Sequence, residues 1–564
     1  MSRTGSLALR SLALRVLRRT LRAGLRLWAS LDAPAGERRV PGTLPVAVLT
    51  ALIQIPVAIV SVSTGASLYY GDAGSHLTIA RRLFDSIHPG FQQLGTFWLP
   101  VPHLLLAPLT IPLSWWRSGA SGAILGGLCL VATACALYRV CARLGFHRAG
   151  RLGMLAALLI NPSVLYIFTT ALTEPVLLAG IACATAGLAR WAVNTRTPSG
   201  GELAIFAGIP TAAAVMSRYE GWAFLLSGCL LILILHRRRH GRWRDLWRPL
   251  TGFTAVPAAA IAWWLAYNWG VQHNPLAFMN GEYSASALQL PAVRAGLDPG
   301  AGNLGLSLTT YNWALLETAG FFVLGCAGLG LLLLLYREGL SSRNLVLGIT
   351  LSTYVFSVLS LYLGKTIMWN VHTVPVDQWN ARFAMSVMIP AVLCTGAAVE
   401  LLSRRGWRMR SGVALLLVAG LSAQTLWWAA APWERSAVMR EAKGQVMSRP
   451  ESRAVFLWLR QHYRGGRVLV DETSTAYGSL PTLGLPLKEV ITRSTGSIFH
   501  DAVRNPEEYA RWVVMQRSAF TQGAHGNASA QTDIVGTTLH SNAVFSERYR
   551  LVYRDSINVI YECF

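Results

Sequence analysis

Apolar runs of membrane-spanning length, separated by short polar segments, dominate this chain of 564 residues. They fall at about 44–64, 119–138, 152–168, 174–193, 203–216, 222–236, 249–269, 313–335, 345–363, 384–402 and 412–431. A helix needs roughly 20 apolar residues to cross a bilayer, so the pattern predicts a polytopic α-helical membrane protein with about 11 transmembrane helices. The run 100–116 is apolar too, but four prolines break it. It reads as a re-entrant or interfacial segment, because non-helical backbone at that depth must be covered by protein.

From about Pro432 the long runs stop and the pattern becomes that of an α/β module. An amphipathic helix is predicted over 451–463, strands over 467–470 and 489–492, and a helix over 506–515. A terminal hairpin is predicted from 551–553 and 559–561, turning at Asp555–Asn558. Three parts follow: a basic arm over 1–43, a transmembrane domain over 44–431 with its first exterior loop at 65–118, and an extracytoplasmic α/β domain over 432–564.

Charge orients this arrangement. Eleven spans place the termini on opposite sides of the membrane. The short loops of one side carry 27 Lys and Arg against 7 on the other, which puts the N-terminus in the cytoplasm and the C-terminal domain outside a plasma (inner) membrane. The net charge of +23 therefore belongs mainly to cytoplasmic loops, and nucleic-acid binding is excluded as its explanation. Arg10, Arg15, Arg18, Arg19, Arg22 and Arg26 stand among leucines and predict a surface helix on anionic membrane lipids. Only three of the 50 cations are Lys, which fits a GC-rich bacterial genome. Seven of the eight cysteines fall in or just beside spans and Cys563 stands alone outside, so neither a disulfide there nor a paired-cysteine zinc site is expected. Asn527–Ser529 matches a glycosylation acceptor that has no meaning in a bacterium.

Candidate chemistry gathers on the exterior side. The segment from Tyr69 to Pro108 sets Asp72, His76, Arg81, Arg82, Trp98 and His103 directly after the first span. Charges so close to a bilayer are costly unless they act in chemistry or hold a charged ligand. Glu174 opens the fourth span, Arg218 and Glu220 stand in Ser-Arg-Tyr-Glu-Gly-Trp, and Lys365 and Arg382 flank the last exterior loop. Each has a plainer reading. Asp72 suits a helix N-cap, and Glu174 suits a helix-start acid. Arg218 with Glu220 suits an ion pair closing a turn, while Lys365 suits snorkelling and Trp98 an interfacial anchor. His76, one turn after Asp72, suits either a buried hydrogen-bonding histidine or a partner sharing a proton or metal with Asp72. Arg81 and Arg82 are adjacent and cannot face the same way on a helix. Asp471 and Glu472 read as a strand-end cap or turn.

These motifs resemble those of the GT-C membrane glycosyltransferases, especially the family-39-like branch of protein O-mannosyltransferases and aminoarabinose transferase. The resemblance lies in Tyr70-Gly-Asp72-Ala-Gly-Ser-His76, Trp98-Leu-Pro-Val-Pro-His103, Thr173-Glu174-Pro175 and Asn380-Ala-Arg382-Phe383 ahead of Pro390. It covers roughly 40–430. The family often has Asp-Glu where this chain has Asp72-Ala73, leaving His76 or Glu174 for the second role. His103 stands where a lysine often follows. The resemblance implies inverting transfer of a sugar from a polyprenyl-phosphate donor to a hydroxyl of a cell-envelope glycan, lipid or protein. Asp72 is then the general base, with His76 and Glu174 as further catalytic candidates. Arg218, Glu220, Lys365, Arg382, Trp98 and His103 are the candidate substrate-binding residues, the cations meeting the phosphate. No cofactor is required; a divalent metal, with Asp72 and His76 as its candidate ligands, is a further expectation.

Two other readings compete. A transporter or flippase of a lipid-linked or anionic solute needs ionisable groups near the bilayer midplane, where Glu317 is the main candidate. An oligosaccharide ligase or polymerase with a lipid diphosphate donor is the nearest rival among enzymes.

Overall fold

The computed structural model describes residues 28–564 except 37–38, 96, 194–197, 240, 282–283, 405, 449, 475–476 and 518–532. The arginines of the basic arm up to Arg26 and the Asn527–Ser529 motif lie outside the described residues. Among those described, nine helices are long and apolar enough to cross a membrane, from Thr43–Ser63 to Trp407–Ala430. The chain is thus a polytopic helical membrane protein, but the expected count of 11 spans is not confirmed among the described residues. The run 152–168 is two short helices, Arg148–Leu159 and Pro162–Ile167, parted at Asn161. Pro162 lacks an N–H, and the Asn161 side chain caps the new start by accepting from Val164 N at 3.1 Å. The run 203–216 is a short apolar stretch, Gly200–Val215, containing a π-helical turn at Ala204–Gly208. The run 313–335 divides at Gly320, whose φ of 84° ends Leu304–Ala319 before Phe321–Glu338 begins.

Several polar side chains inside the spans face the bundle and bond to neighbours there, as a hydrocarbon surrounding favours. In Thr43–Ser63 the buried residues Val46, Thr50, Gln54 and Ser61 form one stripe. Gln54 donates to the Leu165 carbonyl at 3.2 Å and Ser61 pairs with Thr169 at 2.7 Å. The span Ala381–Ser403 is 94% buried over its apolar window and forms the centre of the bundle. Phe321–Glu338 packs on it so closely that a Cβ at Gly330 would stand 1.9 Å from the Cys394 carbonyl oxygen. The proline-rich run after Leu99 is broken into Val101–Leu106, Ala107–Thr110 and Leu113–Ser118.

Beyond the last span, the short helices Pro432–Arg435 and Ala437–Met447 lead into a small sheet. Its strands are β1 (Val468–Val470), β2 (Val490–Ile491), β3 (Trp512–Gln516), β4 (Tyr549–Arg554) and β5 (Asn558–Cys563), in the order β2-β1-β3-β5-β4. β1 runs parallel to β2 and β3, and β5 antiparallel to β3 and β4. The predicted helix over 506–515 is corrected: only Pro506–Tyr509 is helical, and Trp-Val-Val-Met-Gln forms β3 beside β1. That run is largely apolar, carries two adjacent valines and is buried on both faces over its first four residues, which favours a central strand. The β4–β5 hairpin turns at Asp555, whose Oδ1 accepts from the N–H groups of Ile557 at 2.8 Å and Asn558 at 2.6 Å.

This module rests on the first loop of the transmembrane part. Arg82 pairs with Glu472 at 2.9 Å, and Arg117 Nε donates to the Gly484 carbonyl at 2.7 Å. Gly74 faces Gly478 (φ 66°) so closely that a Cβ on Gly74 would lie 1.9 Å from the Gly478 oxygen. Gly74→Ala should therefore force the two parts apart at a cost of about 1–3 kcal/mol. Thermal unfolding of the purified protein checks this; an unchanged midpoint would show that the contact does not hold the module in place.

Candidate functional site

Asp72 lies in the first turn of the helix Gly71–Arg82, with Tyr70 at the cap position. It does not serve as the cap; its oxygens reach outward to two residues far away in sequence. Arg382 donates to Oδ2 and the Tyr477 hydroxyl donates to Oδ1. Burial alone would raise the carboxyl, but Arg382, His76 and the Tyr477 hydroxyl hold it down, at about 2. The carboxylate is thus charged at neutral pH, and its side chain keeps 17% exposure.

Arg382 is set by the local geometry of Asn-Ala-Arg-Phe. Asn380 has φ 57°, a left-handed conformation that Asn tolerates better than most residues. Its Nδ2 donates to the Ile367 carbonyl at 2.8 Å, and its backbone N donates to Glu441 at 2.9 Å. The turn Ala381–Val387 then opens the central span and directs the Arg382 guanidinium into the cluster. Arg382 Nε lies 3.3 Å from Glu174 Oε1, and Arg218 Nη1 donates to the same oxygen at 2.9 Å. Arg218 also grips Glu220 through Nε at 3.0 Å and Nη2 at 2.8 Å. Asp72, Arg382, Glu174, Arg218 and Glu220 thus form one alternating chain of charge. Its guanidiniums are stacked on aromatic faces, Arg382 over Tyr70 at 4.9 Å and Arg218 over Phe383 at 4.3 Å.

Beside the acid stands a histidine pair. His76 Nδ1 and His103 Nε2 share a hydrogen bond of 2.8 Å, and the Trp98 ring lies 4.4 Å from that of His76. Burial drives the His76 pKa down to about 3, so the imidazole is neutral. The arrangement gives Asp72 and His76 no third metal ligand. Among the described residues, no group of three or more His, Cys, Asp or Glu is placed to hold an ion. Asp72 is engaged by Arg382 and Tyr477 and His76 by His103, so the expected metal pair does not fit a divalent cation and no step is derived through one.

The structure brings together Asp72, Glu174, Arg218, Glu220 and Arg382, with His76, Trp98 and His103 alongside. Lys365 is not among them: it is exposed, and its backbone N–H bonds to the Ser360 carbonyl at 2.8 Å. The adjacent arginines diverge as their spacing requires. Arg81 pairs with Asp85 at 2.6 Å and Arg82 with Glu472. Asp471 is structural, gripped by Arg493 and accepting from Ile534 N at 3.0 Å. Three participants were not legible beforehand. Tyr70 carried no mark beyond its place in the Tyr-Tyr-Gly-Asp stretch. Tyr477 and Glu441 lie more than 360 residues after Asp72 in segments without a motif. Glu441 accepts from the backbone N–H groups of Asn380 and Arg382 and from the Tyr70 hydroxyl at 3.3 Å. Burial raises its pKa, with Arg382 opposing.

The depressed Asp72 value carries a pH signature. A carboxyl with a lowered folded pKa contributes stability in full above its usual 3.8 and loses it as pH falls towards about 2. The melting-temperature difference between wild type and Asp72→Asn should stay constant from pH 8 to 5 and shrink below pH 4. A difference that fades between pH 7 and 5 would place the carboxyl in another environment.

No protein-family model matches the chain, and no curated protein matches it in sequence. Solved structures do match. ArnT from Cupriavidus metallidurans bound to undecaprenyl phosphate aligns over 90% of this chain and 97% of its own, at 13% identity and a TM-score of 0.53. The same ArnT in the apo state aligns over 87% and 92%, at 14% identity and 0.47. The Archaeoglobus fulgidus oligosaccharyltransferase tethered with an acceptor peptide aligns over 93% and 74%, at 12% identity and 0.44. The first likeness shows a shared fold, that of the Cupriavidus metallidurans ArnT.

Proposed function

We propose that this protein is a multi-pass glycosyltransferase that moves a sugar from a polyprenyl-phosphate donor to an acceptor hydroxyl. The acceptor is a cell-envelope glycan, lipid or protein, met on the outer face of the plasma (inner) membrane. One observation carries the reading. Asp72 and the arginines Arg218 and Arg382, from three distant stretches of chain, are joined in one buried cluster through Glu174. Arg382 Nη1 is buried there and has no partner among the described residues. An unpaired buried donor is costly, and a phosphate oxygen of a bound donor would satisfy it.

In the proposed reaction an acceptor hydroxyl takes the place of the Tyr477 hydroxyl on Asp72 Oδ1. Asp72 removes its proton as the oxygen bonds to the anomeric carbon. The bond from that carbon to the phosphate oxygen breaks, and the polyprenyl phosphate leaves with the electron pair. Arg382 and Arg218 meet the charge developing on it. A single displacement inverts the anomeric centre. The neutral His76 and His103 pair and Trp98 then border the acceptor side. ArnT holds undecaprenyl phosphate, which supports a donor of that lipid class, and the cation bias of the loops supports the outer face.

The test is transfer in proteoliposomes across a panel of polyprenyl-phosphate sugars, with lipid diphosphate sugars as a second arm. Turnover with the monophosphates alone is the expected result. Turnover only with diphosphates would move the protein to the ligase or polymerase class. Translocation of the intact donor without bond cleavage would make it a flippase.

A further inference from the structure

A second site lies on another face of the helix Ala437–Met447. Successive residues on a helix point about 100° apart. Glu441 turns to the Asp72 cluster, whereas Arg440 turns to Glu317, donating to both of its oxygens at 2.7 Å. Around that pair is a cleft of ≈ 310 Å³, at the lower end of the range for small-molecule sites. It opens where the span Phe321–Glu338 begins and the span Trp407–Ala430 ends.

Its lining combines two chemistries. Trp313, Phe321 and Trp427 are partly exposed there, Trp427 with the Arg435 guanidinium over its ring at 5.2 Å. Glu317 and Glu434 stand against Arg435 and Arg440, two acids for two bases, so the walls carry no net charge. Glu317 is fixed before any ligand arrives: Asn370 donates to Oε2 at 2.8 Å, and His372 lies 3.5 Å from Oε1 while its ring packs 4.2 Å from that of Trp313. A balanced set of carboxylate acceptors and guanidinium donors beside aromatic faces suits a ligand that is rich in hydroxyls on its edges and apolar on its faces. That description fits a pyranose ring. A free phosphate or a divalent cation would meet as much repulsion as attraction here.

We propose that this cleft binds a neutral sugar ring, separately from the reaction at Asp72. Its place at the end of two spans suits a ring carried on a membrane glycolipid, and a free glycan offers the same ring. The proposal stands apart from the transferase reading, since none of the cleft's residues belongs to the Asp72 cluster.

The experiment titrates the full-length protein in nanodiscs, following tryptophan fluorescence. One arm adds a soluble panel of maltotriose, chitotriose and mannotriose; the other compares nanodiscs with and without a monoglucosyl diacylglycerol. Saturable binding in either arm is expected, weakened at least tenfold in Trp313→Ala and in Glu317→Gln and retained in Asp72→Asn. The responding arm identifies the carrier. Trp427→Phe, which keeps a ring face, should bind within threefold of wild type and guards against misfolding in the other variants. No saturable binding in either arm to protein of wild-type melting temperature would overturn the proposal. So would binding that Trp313→Ala leaves unchanged, or that Asp72→Asn abolishes.

Discussion

Asp72→Asn should reduce sugar transfer by about a hundredfold to ten-thousandfold, the usual contribution of a positioned general base. Asn fills the same space and still accepts from Arg382 or Tyr477, so folding and membrane insertion should survive. The amide cannot take the acceptor's proton. Binding of a polyprenyl-phosphate sugar should change much less than turnover, because the phosphate is assigned to the arginines. The decisive measurement is single-turnover transfer with donor in excess of its dissociation constant. Turnover within a few-fold of wild type would remove Asp72 as base and move attention to Glu174, whose Oε2 is buried and unpartnered among the described residues. His76 is a weaker substitute, since its Nδ1 is already engaged by His103 at 2.8 Å.

Arg382→Ala should act on stability and on donor affinity together. The guanidinium is the shared partner of Asp72 and Glu174 and lies across the Tyr70 ring. Its removal leaves buried carboxylates facing one another, and breaking a buried pair from one side costs about 3–5 kcal/mol. The Asp72 carboxyl should also rise from about 2, because the nearest opposing charge is gone. Melting temperature and donor affinity should therefore both fall. Arg382→Lys should recover more of the melting temperature than of the affinity, since an ammonium supplies charge without the fork that spans two partners. A variant that melts lower but binds donor as wild type would confine Arg382 to holding the bundle.

Much of this was readable along the chain because hydrophobic length and charge are local properties. Helical spans, the change of pattern near Pro432 and four of the five strands follow from short windows of sequence. Where the reading went astray, a local rule met a stronger neighbour. The segment 506–515 begins with Pro and two acids, as helices do, yet Trp512–Gln516 is drawn into the sheet by β1 on one side and β5 on the other. Apolar length alone does not register Pro162, which divides the run 152–168, or the π-helical turn at Ala204–Gly208 within the short stretch Gly200–Val215. Asp72, Glu174, Arg218 and Arg382 stood out because a charge near a bilayer is conspicuous. Tyr477 and Glu441 did not, because an ordinary Tyr or Glu in a polar module has no such contrast. Only the fold brings them within bonding distance of Asp72 and of the Asn380–Arg382 backbone.

The Tyr477 hydroxyl on Asp72 has a chemical consequence for the proposed reaction. A bare carboxylate beside an activated sugar would deprotonate water as readily as an alcohol, and each such event would waste a donor molecule. With a phenol capping the oxygen, a lone water gains little by displacing it. An acceptor that brings further contacts of its own can. Fidelity against hydrolysis is then a property of the tail of the chain rather than of the bundle that holds the lipid, and Tyr477→Phe should reveal it as free sugar released without any acceptor present.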